Sequence, residues 1–93
     1  MRIARVIGTV TLSRCHPSVQ GYRWIIGVPY SLKALRKEAA PDGEDLVILD
    51  QLGAGNGSRI GVSEGVEASM PFHPEKKPVD AYCACLLDTI DVR

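Results

Sequence analysis

Residues 46–65, LVILDQLGAGNGSRIGVSEG, constrain the fold of this chain more than any other stretch. A short β-branched and leucine run ends at Asp50, three glycines follow at alternate positions, and a second apolar run covers residues 60–63. Short apolar runs bounded by turn residues are typical of strands, and we therefore interpret the stretch as a β-hairpin. Because glycine tolerates positive φ, the spacing of the three glycines predicts a sharply shaped loop tip.

The glycine loop between these strands is the candidate functional site. Its amides could bind phosphate, as they do in other glycine-rich loops. A P-loop, however, needs Lys and then Ser or Thr after its last glycine, and a dinucleotide-binding loop needs a helix afterwards. Here Ser58 and Arg59 lead into a predicted strand instead, so we favour a structural loop or a subunit contact. The candidate residues are Gly53, Ala54, Gly55, Asn56 and Gly57.

Alternating apolar and polar residues predict three further strands, at residues 2–13, 22–28 and 79–92. The last of these is apolar on both sides over its first half, as expected for a strand that is covered on both faces. In residues 22–28, large apolar side chains make up one whole face. That face consists of Tyr22, Trp24, Ile26 and Val28.

One helix is predicted, at residues 31–40, because Ser31 can cap its first turn and Pro41 stops it. The proline-rich residues 66–78 allow at most one helical turn near their start. Several short strands with one such insertion predict an all-β fold, namely a small closed OB-like β-barrel with one short helical insertion. A chain of 93 residues makes a single domain, residues 1–93.

No catalytic constellation or metal site stands out in the sequence. Cys15 and His16 are adjacent, so their side chains would point in opposite directions on an extended chain. Cys83 and Cys85 are predicted to point the same way, but a single C-x-C is a weak zinc signal. His73 has no second ligand at a metal-binding spacing. The sequence therefore predicts no enzyme activity, no cofactor and no metal.

Charge and composition favour an assembly of like chains. Eleven basic and eleven acidic residues cancel, which argues against a general nucleic-acid binder. The chain is 45% hydrophobic, yet so short a chain covers only part of its apolar surface, so burial against other chains is expected. An odd number of cysteines, no signal-peptide pattern and no membrane-length apolar run predict a cytoplasmic protein without membrane contact.

A single-stranded nucleic-acid-binding module is the alternative function for an OB-like barrel. Tyr22 and Trp24 could stack on bases, and basic side chains elsewhere could contact the phosphates. Those basic residues are Lys33, Arg36, Lys37 and Arg59.

Six segments carry a resemblance that is specific in their ordered combination. They are MRIARVIGTV at residues 1–10, HPSVQG at 16–21, DQLGAGNG at 50–57, IGVSEG at 60–65, PVDA at 78–81 and DTIDV at 88–92. In this order they resemble the bacterial microcompartment vertex proteins, the pentameric type found in carboxysomes and ethanolamine compartments. The resemblance implies a β-barrel protomer in a homopentamer that caps the five-fold vertices of a shell, otherwise tiled by hexameric shell proteins. It also implies a purely structural role.

The same resemblance implies roles for three loops. The residues from Gly53 to Gly57 would form a subunit contact or lie around the central axis. The insertion at residues 31–45 looks longer than is usual for the family, and residues 66–78 are rich in proline. We expect these two loops to tune the contact with hexameric partners.

Overall fold

The computed structural model describes residues 1–92 and contains five strands that close into a barrel. The strands are β1 (Arg2–Val10), β2 (Arg23–Pro29), β3 (Leu46–Asp50), β4 (Arg59–Glu64) and β5 (Ala81–Leu87). Their order around the barrel is β1–β2–β3–β5–β4, and every neighbouring pair is antiparallel except β3 with β5. The prediction of an all-β, OB-like barrel is confirmed.

The inner core is filled by residues that alternate along the strands, because successive side chains of a strand point to opposite faces. Ile25, Ile48 and Ile60, from three different strands, are completely buried there. Small side chains from β1 and β5 leave room for these three. The whole inner core consists of Ala4, Val6, Ile25, Ile48, Ala54, Ile60, Val62, Ala81 and Cys83.

The predicted hairpin between β3 and β4 is wrong. β3 pairs with β2 and β5, whereas β4 pairs with β1 and β5. The glycine loop therefore crosses one end of the barrel and does not join two neighbouring strands. Alternation shows which side chains of a strand face the core, but it carries no information on which strand becomes the neighbour.

A second, outer cluster covers part of the outside of the barrel. Trp24 lies on the outer face of β2, since its neighbour Ile25 points into the inner core. The aromatic rings of Tyr22, Phe72 and Tyr82 meet next to it, with centroid separations of 5.7 and 5.6 Å along the row. The proline-rich loop is thus held against the barrel wall. The cluster consists of Val19, Leu49, Ala68 and Val79, with Tyr22, Trp24, Phe72 and Tyr82 around them.

The helix of the insertion is shorter than predicted. It is α1 (Leu32–Arg36), and the Ser31 hydroxyl caps it by accepting a hydrogen bond from the Ala34 amide at 3.0 Å. Glu38 has a φ of +49°. The Glu38 amide donates a hydrogen bond to the Leu35 carbonyl, and the Ala39 amide donates one to the Ala34 carbonyl. These two bonds form a Schellman motif, which ends the helix. Glutamate at this position gave no sequence signal, because glycine is the usual residue there.

A second helix, α2 (Val66–Ser69), confirms the predicted turn at the start of the proline-rich loop. Short 3₁₀ turns lie at Pro17–Val19 and Met70–Phe72. Within residues 1–92, no helix is long and apolar enough to cross a membrane.

The two cysteines of β5 do not share a face, contrary to the prediction. Cys83 pairs with Val62 and Cys85 pairs with Gly61, so β5 holds one more residue than β4 at this point. Such a bulge reverses the alternation. Cys83 lies in the inner core, whereas the Cys85 sulfur lies on the outer face, only 2.6 Å from where a Cβ on Gly61 would be. Glycine at residue 61 is therefore required by close packing.

Candidate subunit-contact site

Asp50 organises the glycine loop. The residue lies at the end of β3 and is only 2% exposed. Its Oδ1 accepts a hydrogen bond from the Leu52 amide at 2.9 Å, and its Oδ2 accepts one from the Ala54 amide at 2.9 Å. Oδ2 also accepts from Nη1 of Arg23, which in turn donates to the Ala54 carbonyl at 2.6 Å. One carboxylate and one guanidinium thus fix the chain from residue 50 to residue 54.

The charge of this carboxylate is stabilised by its surroundings. Burial alone would raise the pKa of Asp50, since it disfavours the ionised form. The amides of Leu52 and Ala54 and the Arg23 guanidinium outweigh burial and lower the pKa below its ordinary value of 3.8. Asp50 is therefore ionised at neutral pH and acts as a structural anion.

The amides of the glycine loop are largely used within the protein. The Gly55 amide donates to the Ser58 hydroxyl, the Gly57 amide to the Val6 carbonyl, and the Ser58 amide to the Gly55 carbonyl. The Leu52 and Ala54 amides are already bound by Asp50, as described above. Amides committed in this way cannot form a phosphate cradle, which supports the interpretation as a structural loop.

The five predicted site residues separate into two groups. Ala54 is 1% exposed and belongs to the inner core, so it closes the end of the barrel beneath the loop. The other four are exposed, and two of them, Gly53 and Gly57, have φ values of +80° and +86°. An added Cβ at these two glycines would meet no atom within 4 Å, so backbone conformation is what requires glycine there. The exposed residues are Gly53, Gly55, Asn56 and Gly57.

The ion pair of Asp50 with Arg23 was not predicted from the sequence, because the two residues are 27 positions apart and no local pattern links them. A local sequence signal existed for the hydrogen bond between Asp50 and Leu52. An aspartate immediately before a turn often accepts a hydrogen bond from the amide two residues further on, and Asp50 does so with Leu52.

The residues proposed for nucleic-acid binding do not converge. Tyr22 and Trp24 are half-buried in the outer cluster at the start of β2. Lys33 and Lys37 belong to the insertion that follows the other end of the strand. Trp24 and Pro29 are five residues apart in β2, which corresponds to a distance of about 16 Å along the strand. The aromatic rings and these lysines therefore do not form one continuous surface for a nucleic-acid strand.

The other candidates for chemistry are also dispersed. His16 caps a 3₁₀ turn, where its Nδ1 accepts a hydrogen bond from the Ser18 amide at 3.1 Å. Cys15 lies exposed in the same loop, in agreement with the prediction of loop residues. Burial raises the pKa of the Cys83 thiol to about 12. Within residues 1–92, no three His, Cys, Asp or Glu side chains are grouped so that they could hold a metal ion.

Fold and site together define a small OB-like barrel in which the buried Asp50 carboxylate and the partly exposed Arg23 serve structure. Residues 1–88 match the sequence profile of a family described as ethanolamine utilisation protein EutN/carboxysome. The chain belongs to this EutN/CcmL family.

Individual relatives match the chain from end to end. The bacterial microcompartment shell vertex protein GrpN of Rhodospirillum rubrum is 30% identical over 91 residues, which cover 98% of this chain and 97% of GrpN. The carboxysome shell vertex protein CcmL of Gloeobacter violaceus is 33% identical over 92 residues, covering 99% of this chain and 87% of CcmL.

Solved structures of the same two relatives share the fold. The pentameric microcompartment shell protein GrpN superposes with a TM-score of 0.83 at 29% identity, and the match covers 100% of both chains. The Gloeobacter violaceus CcmL structure gives a TM-score of 0.84 at 32% identity, covering 99% of this chain and 90% of CcmL. The suspected relationship to shell vertex proteins is confirmed.

Proposed function

We propose that this chain forms a homopentamer that caps the five-fold vertices of a polyhedral bacterial microcompartment. The observation that carries the proposal is the end-to-end match to GrpN, a protein named as a shell vertex protein and solved as a pentameric shell protein. The role is geometric, because a flat sheet of hexamers cannot close without five-fold units. It requires no catalysis, and we propose that residues 1–93 form one barrel domain that carries it.

An exposed apolar surface supports the idea of a ring. Ile26 on the outer face of β2 is the register partner of both Gly8 on β1 and Val47 on β3. Val47 is 51% exposed in the isolated chain, and so is Ile7, which precedes Gly8 in β1. We call Ile7, Ile26 and Val47 the outer strip. In a closed ring each copy buries different surfaces against its two neighbours, which would remove such a strip from water.

The loops supply candidates for the remaining contacts. The exposed residues Gly53, Gly55, Asn56 and Gly57 lie together at one end of the barrel, where they could form a subunit contact or surround the axis. The insertion at residues 31–45 is braced by Asp42, whose carboxylate accepts hydrogen bonds from the Ser31 amide at 2.8 Å and hydroxyl at 2.7 Å. We propose that this insertion and residues 66–78 contact hexameric shell proteins.

Shell closure tests the proposal directly. The chain would be produced together with hexameric shell proteins of a bacterial microcompartment, and particles would be compared with those made without it by electron microscopy. We expect closed polyhedra only when the chain is present, with its density at the vertices. Closed shells of equal number without it would contradict the vertex role.

A further inference from the structure

Two arginines lie directly opposite each other on the barrel wall. Arg5 of β1 and Arg59 of β4 are register partners in an antiparallel pair, so their side chains project from the same face. Like charges in this position destabilise a sheet. Within residues 1–92, neither side chain forms an ion pair with a carboxylate. The fold thus keeps two adjacent positive charges that its own described residues do not neutralise.

The Arg5 side chain is held in position. Its Nε donates a hydrogen bond to the Tyr30 hydroxyl at 3.1 Å, and its guanidinium carbon lies 5.8 Å from the centroid of the Tyr30 ring. The Tyr30 amide is bonded to the Ile3 carbonyl at 2.8 Å, which anchors the tyrosine to β1. Arg59 is oriented by one hydrogen bond, from Nη2 to the Asp88 carbonyl at 3.1 Å. Both guanidinium groups retain further N–H donors for a ligand.

The two arginines line a cleft between the barrel wall, the insertion and the C-terminal segment. Its volume is about 420 Å³, which is in the range of small-molecule sites. Among the residues that the structure describes, three arginines and two carboxylates line it. These charged residues are Arg5, Arg36, Arg59, Glu38 and Asp91.

We propose that this cleft binds a phosphate group through Arg5 and Arg59, with the Tyr30 hydroxyl as an additional donor. A phosphate dianion would neutralise the charge of both arginines, and the fork of N–H groups on each guanidinium matches phosphate oxygens in pairs. The group could come from inorganic phosphate or from a phosphorylated metabolite, since both present the same oxygens. Gly57 of the glycine loop also lines the cleft, but its amide is bonded to the Val6 carbonyl, so the proposed donors are side chains. The existence of the site does not depend on the vertex role.

Calorimetric titration of the purified protein tests the site with two probes, inorganic phosphate and glucose 6-phosphate, in sodium chloride of matched ionic strength. We expect saturable binding of at least one probe, and the tighter one identifies the source of the group. Arg59→Gln should weaken binding about tenfold or more, because it removes a positive charge and its charge-assisted hydrogen bonds to the phosphate oxygens. Arg5→Lys keeps the positive charge but loses the paired N–H donors of the guanidinium, so we expect a smaller loss of phosphate affinity than in Arg59→Gln.

Arg14→Gln is the matched control, since Arg14 is exposed in the loop after β1 and does not line the cleft. It should leave phosphate affinity unchanged. No saturable binding of either probe to the wild-type protein, or equal losses in Arg14→Gln and Arg59→Gln, would overturn the proposal. So would a change of assembly mass in Arg59→Gln without any dependence on phosphate, because the arginines would then belong to a subunit contact.

Discussion

At the scale of single residues, the ion pair of Asp50 and Arg23 decides the conformation of the glycine loop. The carboxylate is buried, whereas the Arg23 side chain is 41% exposed, so solvent weakens the Coulomb attraction between them. The hydrogen bonds from the Leu52 and Ala54 amides are shielded and directional. We therefore assign the larger part of the stabilisation of the glycine loop to these hydrogen bonds from the backbone amides.

Asp50→Asn tests this assignment. The amide side chain can accept from fewer amides and no longer attracts Arg23, so we expect the free energy of unfolding to fall by about 2 kcal/mol. The measurement is urea unfolding of wild type and variant at neutral pH. Because the pKa of Asp50 is lowered in the folded state, its contribution is complete above its ordinary value of 3.8 and is lost as pH falls through the lower folded pKa.

The difference in unfolding free energy between wild type and Asp50→Asn should therefore stay constant from about pH 7 to about pH 5 and shrink below pH 3.8. Other acids titrate in both proteins, so their effects cancel in this comparison. A difference that does not change with pH would show that the charge of Asp50 does not contribute.

At the scale of elements, a buried lysine joins two loops over the outer cluster. Nζ of Lys77 donates to the Ser18 carbonyl at 2.5 Å, and it lies 5.5 Å from the Tyr22 ring centroid and 5.4 Å from that of Phe72. The Lys77 side chain is only 9% exposed. It thus holds the proline-rich loop against the loop that connects β1 and β2.

Lys77→Met should loosen this connection. The variant keeps the aliphatic stem but loses the hydrogen bond, the cation–π contacts and the ion pair with the exposed Glu75 at 3.3 Å. The free energy of unfolding should therefore fall by about 1–2 kcal/mol. Hydrogen exchange should accelerate in residues 66–78. Lys76→Met is the control, since Lys76 is exposed and adjacent. Equal effects of the two substitutions would refute a specific role for Lys77.

The elements that depend on local signals were predictable from the sequence. Period-two alternation located β1, β2 and β5, and short apolar runs bounded by turn residues located β3 and β4. Ser31 correctly marked the start of α1. The end of α1 was not predictable, because Glu38 adopts positive φ where glycine is the usual signal. The face of Cys85 was missed for a similar reason, since a bulge has no marker in its own strand.

The features that the sequence did not predict depend on contacts between residues far apart in the chain. The neighbours of β3 and the partner of Asp50 are set by how distant segments meet, and one sequence does not encode that in any local pattern. The glycine loop was found as a special segment. Its anchoring by Asp50 and its crossing of the barrel became visible only in three dimensions.

At the scale of the whole molecule, the outer strip should hold the ring together. Val47→Asp places a charge in the middle of the strip, where burial against a neighbour would leave that charge unpaired. Because Val47 is 51% exposed in the isolated chain, the protomer itself should stay folded. We expect dissociation into smaller species with an unchanged circular dichroism spectrum.

Val66→Asp is the matched control for that variant. Val66 is 80% exposed and lies in α2, away from the outer strip. It should leave the assembly intact. If both variants dissociate alike, or if neither does, the strip is not the subunit contact.

The absolute mass of the purified wild-type protein, measured by light scattering after size exclusion, distinguishes a pentameric ring from a monomer. We expect a mass about five times that of the 10.1 kDa chain, independent of concentration over a wide range. A monomer throughout that range would contradict the pentameric ring and leave the apolar outer strip without an explanation.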